Sequence, residues 1–184
     1  MIEVDSSVQR ALIFRVTEPA VATRVEPLLR EYGEWAAAQI ERSAGIRFTH
    51  AELDQYHDAF RRELPLLLRA RGRLLCAQVN QELVGVGALK PIGDATAEIK
   101  RMYVRPSAQR TGIGRTILNR LVREAVSEGY KSIQLETLRF MVTAQTMYRS
   151  AGFHETHKFV GSQTGGTPLA SLALFMVLDL GGGG

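Results

Sequence analysis

Glycines at positions 112 and 114, in the run Gln109-Arg110-Thr111-Gly112-Ile113-Gly114, stand where a β-rich stretch gives way to a periodic apolar pattern. Glycine there permits a tight turn and lets a ligand approach the backbone closely. The first turn of a helix leaves backbone N–H groups without intrahelical acceptors, and the helix dipole adds partial positive charge. The chemistry that such a passage supports is the holding of a diphosphate. Thr116 can add a hydroxyl donor, and Arg110 and Arg115 can add positive charge.

A Gly-x-Gly pair by itself fits equally well a loop glycine followed by a helix-packing glycine. Context disfavours two other phosphate sites. A dinucleotide fingerprint follows the first strand of a βαβ unit and has an acidic residue about 20 residues on, whereas three antiparallel strands are expected before Gly112. A P-loop closes on Gly-Lys-Ser or Gly-Lys-Thr, and neither follows these glycines.

The elements that must carry this passage follow from periodicity and turn residues. Residues 11–16 read as a short strand. A helical region follows, with Pro19 near its start, apolar positions at Val21, Val25, Leu28, Leu29, Tyr32 and Trp35, and Gly45 to interrupt or end it. A second helix is expected over 51–64, ended by Pro65. Residues 73–79 and 82–89 are β-rich around an Asn80-Gln81 hairpin turn, and 95–104 forms a third strand. Gly112 opens a helix whose core face is Ile113, Ile117, Leu118, Leu121, Val122 and Ala125, with Gly129 to stop it. A strand over 132–138 and a helix over 143–151 come next. Residues 153–160 and 170–178 read as a final antiparallel pair around a turn-rich, mobile loop at 161–168. This order argues for an α/β domain with a mixed sheet covered by helices, spanning 1–180, with 181–184 as a flexible glycine tail.

Composition narrows the class. With 184 residues, 45% hydrophobic and 23% charged, the chain suits one well-cored domain and not a disordered one. A formal charge of +4, with no concentrated basic stripe, gives no reason to expect a nucleic-acid partner. Residues 1–5 lack the character of a signal peptide, and no stretch approaches the roughly 18 apolar residues of a membrane span. Cys76, the single cysteine, excludes a disulfide within the chain and fits a buried strand in a reducing cytoplasm. His154 and His157 have no convincing partner ligands, so no metal is expected.

Together with the Arg105-Pro106 strand exit and the Ile117-Leu118 continuation, the 109–114 run resembles the GNAT superfamily of N-acetyltransferases. That family's cofactor signature is Gln or Arg, two residues, Gly, one residue, then Gly or Ala, which Gln109, Gly112 and Gly114 satisfy. Further on, Ala144, Met147, Tyr148, Gly152 and Phe153 are similar to its Ala-x-x-Leu-Tyr-x-x-x-Gly-Phe segment.

The resemblance implies a largely antiparallel, GNAT-like central sheet flanked by helices, in which strand 95–104 splays from strand 132–138 to hold acyl-CoA. Pantetheine would pair with the backbone at Met102, Tyr103 and Val104. The pyrophosphate would lie over Gln109, Arg110, Thr111, Gly112, Ile113 and Gly114 and reach Arg115 and Thr116. The implied activity is acetyl transfer from acetyl-CoA, a cosubstrate, to a primary amine of a small molecule or amino-acid derivative, by direct attack. A backbone N–H near Val104 would stabilise the oxyanion. Tyr148 would be the general acid for the departing thiolate, its competing role being to pack over the cofactor. Glu98, in Ala97-Glu98-Ile99, looks like the catalytic glutamate of the histone-acetylating branch; it would act as base, bind the substrate ammonium, or simply face solvent.

Glu136 is a lesser candidate for contact with the acceptor amine, its competing roles being solvent exposure or a salt bridge, and Tyr32, Trp35 and Tyr56 for shaping the acceptor pocket, with core packing the simpler role of Trp35. Phe140 and Met141 replace an acidic residue and an Asn often found in the family, which weighs against peptide N-terminus acetylation. Thr143 would contact CoA or cap the following helix. Lysine acetylation of proteins or peptides and a non-catalytic acyl-CoA-binding module are the alternative functions. The family's habit of self-association implies a possible homodimer through the C-terminal strands.

Overall fold

In the computed structural model, residues 11–181 are described. The extreme N-terminal segment and positions 182–184 of the expected tail lie outside them. The strands are β1 (Leu12–Arg15), β2 (Arg73–Val79), β3 (Glu82–Pro91), β4 (Thr96–Val104), β5 (Ser132–Leu138), β6 (His154–Thr156) and β7 (Ala173–Asp179). They build one sheet in the order β1-β2-β3-β4-β5-β7-β6. β4 and β5 run parallel, and every other neighbouring pair is antiparallel. Asn80 and Gln81 both take positive φ, 49° and 67°, the twist that a two-residue hairpin requires.

The first helical region divides into α1 (Pro19–Thr23) and α2 (Glu26–Ala44). Gly45 closes α2 in the left-handed conformation, φ 70°, and donates its N–H to Glu41. α3 (His50–Leu68) opens with a reciprocal capping box between Thr49 and Glu52. It does not end at Pro65 but continues for three residues. A proline inside a helix costs about 3 kcal/mol. Here its ring is exposed, while Leu67 two residues on is fully buried against Leu28, Leu29 and Leu74 and holds the extra residues in place.

α4 (Ile113–Ser127) and α5 (Val142–Ser150) cover one face of the sheet, and α2 and α3 the other. The α4 stripe Ile113, Ile117, Leu118, Leu121 and Ala125 packs on Leu75, Ile99, Ile133 and Leu135, as the periodicity predicts. Full burial of each such aliphatic side chain contributes about 1.5–3 kcal/mol. Cys76 is buried with Val86 and Tyr103 in the opposite core. Arg73 joins β2 to the C-terminal turns of α4 by ion pairs with Glu124 and Glu128. β6 is shorter than the expected strand over 153–160. It pairs only with Val177, Met176 and Phe175 of β7, and the exposed residues 157 and 158 leave the sheet towards Gly161, φ 85°. Residues 170–172 form a 3-10 turn, so β7 starts at Ala173.

Candidate active site

β4 and β5 pair only from Thr96–Ile99 against Ser132–Leu135. Past Ile99, β4 keeps only β3 and β5 keeps only β7, so a gap opens between them. Its local cause is a β-bulge. Val86 faces Tyr103 and Ala88 faces Lys100, which leaves Gly87 opposite both Arg101 and Met102. Arg101 takes φ 58°, and the extra residue bends β4 away from β5. A Cβ on Gly87 would lie 2.6 Å from both Ile117 Cγ2 and Met102 Sδ, so the bulge requires glycine opposite it. Arg105 donates its N–H to Val84 at 2.8 Å. By strand alternation Tyr103 is directed to β3, and the main-chain groups of Met102 and Val104 turn into the gap. Gln109 Nε2 donates to the Val104 carbonyl at 2.9 Å and ties the loop to the strand.

Beyond β4 the chain passes through a 3-10 turn at Pro106–Ala108 and reaches Arg110 and Gly112, both at positive φ, 63° and 85°. Among the described residues, the backbone N–H groups from Arg110 through Arg115 find no protein acceptor. Such a row of donors at a helix start fits the diphosphate of an acyl-CoA, with the gap beside it fitting the pantetheine amides. Gly112 is a glycine for its conformation. Gly114 is not one for packing, because a Cβ there would sit in ordinary contact, 3.4 Å from Met147 Sδ and 3.6 Å from Val104 Cγ2. The Thr116 hydroxyl donates to the Gly112 carbonyl at 3.0 Å, so its hydrogen points into the helix and not out to the cradle.

Tyr148, on α5, is 6% exposed and packs on Phe153 with ring centroids 5.9 Å apart. Burial pushes its phenol up, so it keeps its proton at neutral pH. Tyr32 on α2 is pushed up mainly by burial. Glu98 is 5% exposed on the α3 side of β4. Burial raises its carboxyl above the usual range, against the opposing pull of Lys100 and Lys90. Lys100 Nζ lies 3.9 Å from Glu98 Oε2.

Glu63 on α3 joins this charged cluster with no motif to announce it. It accepts from Lys100 at 2.7 Å and Lys90 at 2.8 Å and lies 3.4 Å from Arg101. Burial alone would raise its carboxyl, but the two lysine hydrogen bonds outweigh that and hold it at about 2. The available signal was charge at Lys90, Glu98 and Lys100 within strands that are otherwise apolar.

Glu136 is tied to the loop between β6 and β7. Its carboxylate accepts the N–H groups of Gln163 at 2.8 Å and Thr164 at 3.0 Å. The 161–168 loop is therefore anchored to β5 in place of hanging free, with Thr164 buried. Thr143 lies inside α5 and does not cap it; Met141 is the N-cap residue, without a side-chain bond. Gln145 instead donates to the Leu138 carbonyl at 3.0 Å and the Arg139 carbonyl at 2.8 Å. Tyr32, Trp35, Tyr56 and Tyr103 do cluster, the Tyr32 and Tyr103 centroids being 5.1 Å apart. His154 and His157 are exposed, and among the described residues no group of three or more His, Cys, Asp or Glu could hold a metal.

The sequence and the fold both have known relatives. The family model for the acetyltransferase (GNAT) family matches residues 35–153. An IAA acetyltransferase from Azospirillum brasilense is 34% identical over 98 residues, which cover 53% of this chain and 64% of that relative. The match thus spans less than two thirds of the relative's length. The solved structure of an acetyltransferase from Streptococcus agalactiae superposes with a TM-score of 0.68 at 21% identity, covering 92% of this chain and 98% of the other. A GNAT family acetyltransferase from Elizabethkingia anophelis, solved with acetyl-CoA bound, superposes with a TM-score of 0.56 at 22% identity, over 67% and 82% of the two chains. At these identities the structures share the fold, and the family match covers more than half of the sequence: the chain belongs to the acetyltransferase (GNAT) family.

Proposed function

We propose that this chain transfers an acetyl group from acetyl-CoA to a primary amine of a small molecule or amino-acid derivative. The observation that supports it most is the parting of β4 from β5 after Ile99, directly beside the unpaired N–H groups of 110–115. A structural neighbour with acetyl-CoA bound supports the choice of donor. In this reading the neutral amine attacks the thioester carbonyl, the new C–N bond forms, and the C–S bond breaks. The Val104 N–H, facing the gap, stabilises the oxyanion. Tyr148 gives its proton to the departing thiolate, and Glu98 takes one from the amine, directly or through water. Its raised affinity for protons makes Glu98 a stronger base than an ordinary carboxylate.

The test is a mass-spectrometric screen of acetyl transfer over amino acids, polyamines, amino sugars, arylamines and lysine peptides. Acceptor-dependent release of CoA with a small amine is the expected result. Release with lysine peptides alone would shift the assignment to protein acetylation. Acetyl-CoA binding without turnover of any acceptor would make the chain a binding module.

A further inference from the structure

Among the described residues, the buried side-chain donors that lack an acceptor are Arg15 Nε and, on the bulge of β4, Arg101 Nε and Nη1. Arg15 lies on the outer strand β1, where its Nη2 reaches the Arg69 and Gly72 carbonyls. Arg101 is different, because it borders the residues that face the gap. Its side chain is 2% exposed. The remaining nitrogen, Nη2, has only a long contact with Glu63 Oε2 at 3.4 Å. The Arg101 Cζ lies over the Tyr56 ring, 4.3 Å from its centroid, where the ring attracts the charge. Buried charged donors without acceptors are costly and demand an account.

Charge balance points the same way. Lys90, Lys100 and Arg101 converge on two carboxylates, Glu63 and Glu98. Glu136, the next acidic neighbour, is engaged by the loop at Gln163 and Thr164. Three cations therefore share two carboxylates, and burial draws Glu98 towards its neutral form. The cluster is short of an anion. The walls beside it are aromatic: Tyr56 and Tyr32, with Trp35 and Tyr103 next to Tyr32.

We propose that Arg101 binds the carboxylate of the acceptor, which makes the substrates amines that carry a carboxylate on an apolar body, with amino acids the simplest class. This deepens the acetyl-transfer reading and rests on it. A carboxylate oxygen accepts from Nε or Nη1, and the aromatic walls take the apolar body. The partly exposed Tyr56 turns off the guanidinium to admit the ligand.

The test is calorimetric titration with the common L-amino acids and their carboxamides, each with and without CoA. For at least one amino acid, the free acid binds about 10-fold or more tightly than its amide, as a charge-assisted hydrogen bond at a buried site supplies. Arg101→Met brings that ratio to about one, and Arg101→Lys retains part of it, because a point charge replaces a planar fork. If Arg101→Met does not fold, the wild-type ratio and Arg101→Lys decide. Binding of no amino acid, equal binding of acid and amide throughout, or a ratio that survives Arg101→Met overturns the proposal. Titration with acetyl-CoA alone separates it from the parent reading: no binding there removes acetyl transfer, whatever the ratio of acid to amide.

Discussion

Tyr148 packs with the core on the α4 side of the sheet, whereas Glu98 faces α3, and the strands part between them. In the proposed reaction the two have opposite tasks, and burial serves both by keeping a proton on the phenol and raising the proton affinity of the carboxylate. Tyr148→Phe should lower turnover by about 100-fold or more, the usual contribution of a general acid, while acetyl-CoA binding stays within about threefold. Equal turnover at saturating substrates would leave Tyr148 with packing alone. For Glu98 the sign follows from the raised carboxyl. Its basic form is lost as pH falls through that raised value, so wild-type kcat/KM declines on the acid side earlier than an ordinary glutamate would cause. In Glu98→Gln this limb should vanish and the plateau drop; a pH–rate profile with an unchanged acid limb would assign the titration to another group. Tyr148, Glu98 and the 109–114 run stood out in the sequence because a signature surrounds them. Glu63 and Arg101 did not, because their significance arises only when α3 folds over the bulge.

At the scale of elements, Gly87 ties the bulge to α4. Gly87→Ala forces a Cβ to 2.6 Å from Ile117 and Met102. Overpacking of this kind costs about 1–3 kcal/mol, to be read as a lower denaturation midpoint. Unchanged stability would show that the bulge does not depend on this close approach. The bulge was invisible in β4 itself, where no glycine marks Arg101; its trace is Gly87 on the partner strand. The Asn80-Gln81 hairpin and the α4 stripe were legible because turn chemistry and periodicity are local. The continuation of α3 past Pro65 was not, since it depends on Leu67 meeting Leu28 and Leu74, residues far away in the chain.

At the scale of the molecule, the gap is a product of topology. The unit β4-α4-β5 makes a parallel pair, and β7 inserts between β5 and β6, so the end of β5 is committed to β7 while β4 bends towards β3. The strand, helix, strand order made a mixed sheet readable. The insertion of β7 was not, because a final antiparallel pair can join a sheet by either member. No helix among the described residues is long and apolar enough to cross a membrane. The central claim is that the opening between β4 and β5 and the cradle beside it form one acyl-CoA site. Its most direct test is titration of 15N-labelled protein with acetyl-CoA while every backbone amide is followed by NMR. Saturable shifts concentrated at residues 102–104 and 110–115 are the predicted result. Absence of binding, or saturable shifts confined to other parts of the sheet and helices, would contradict the account.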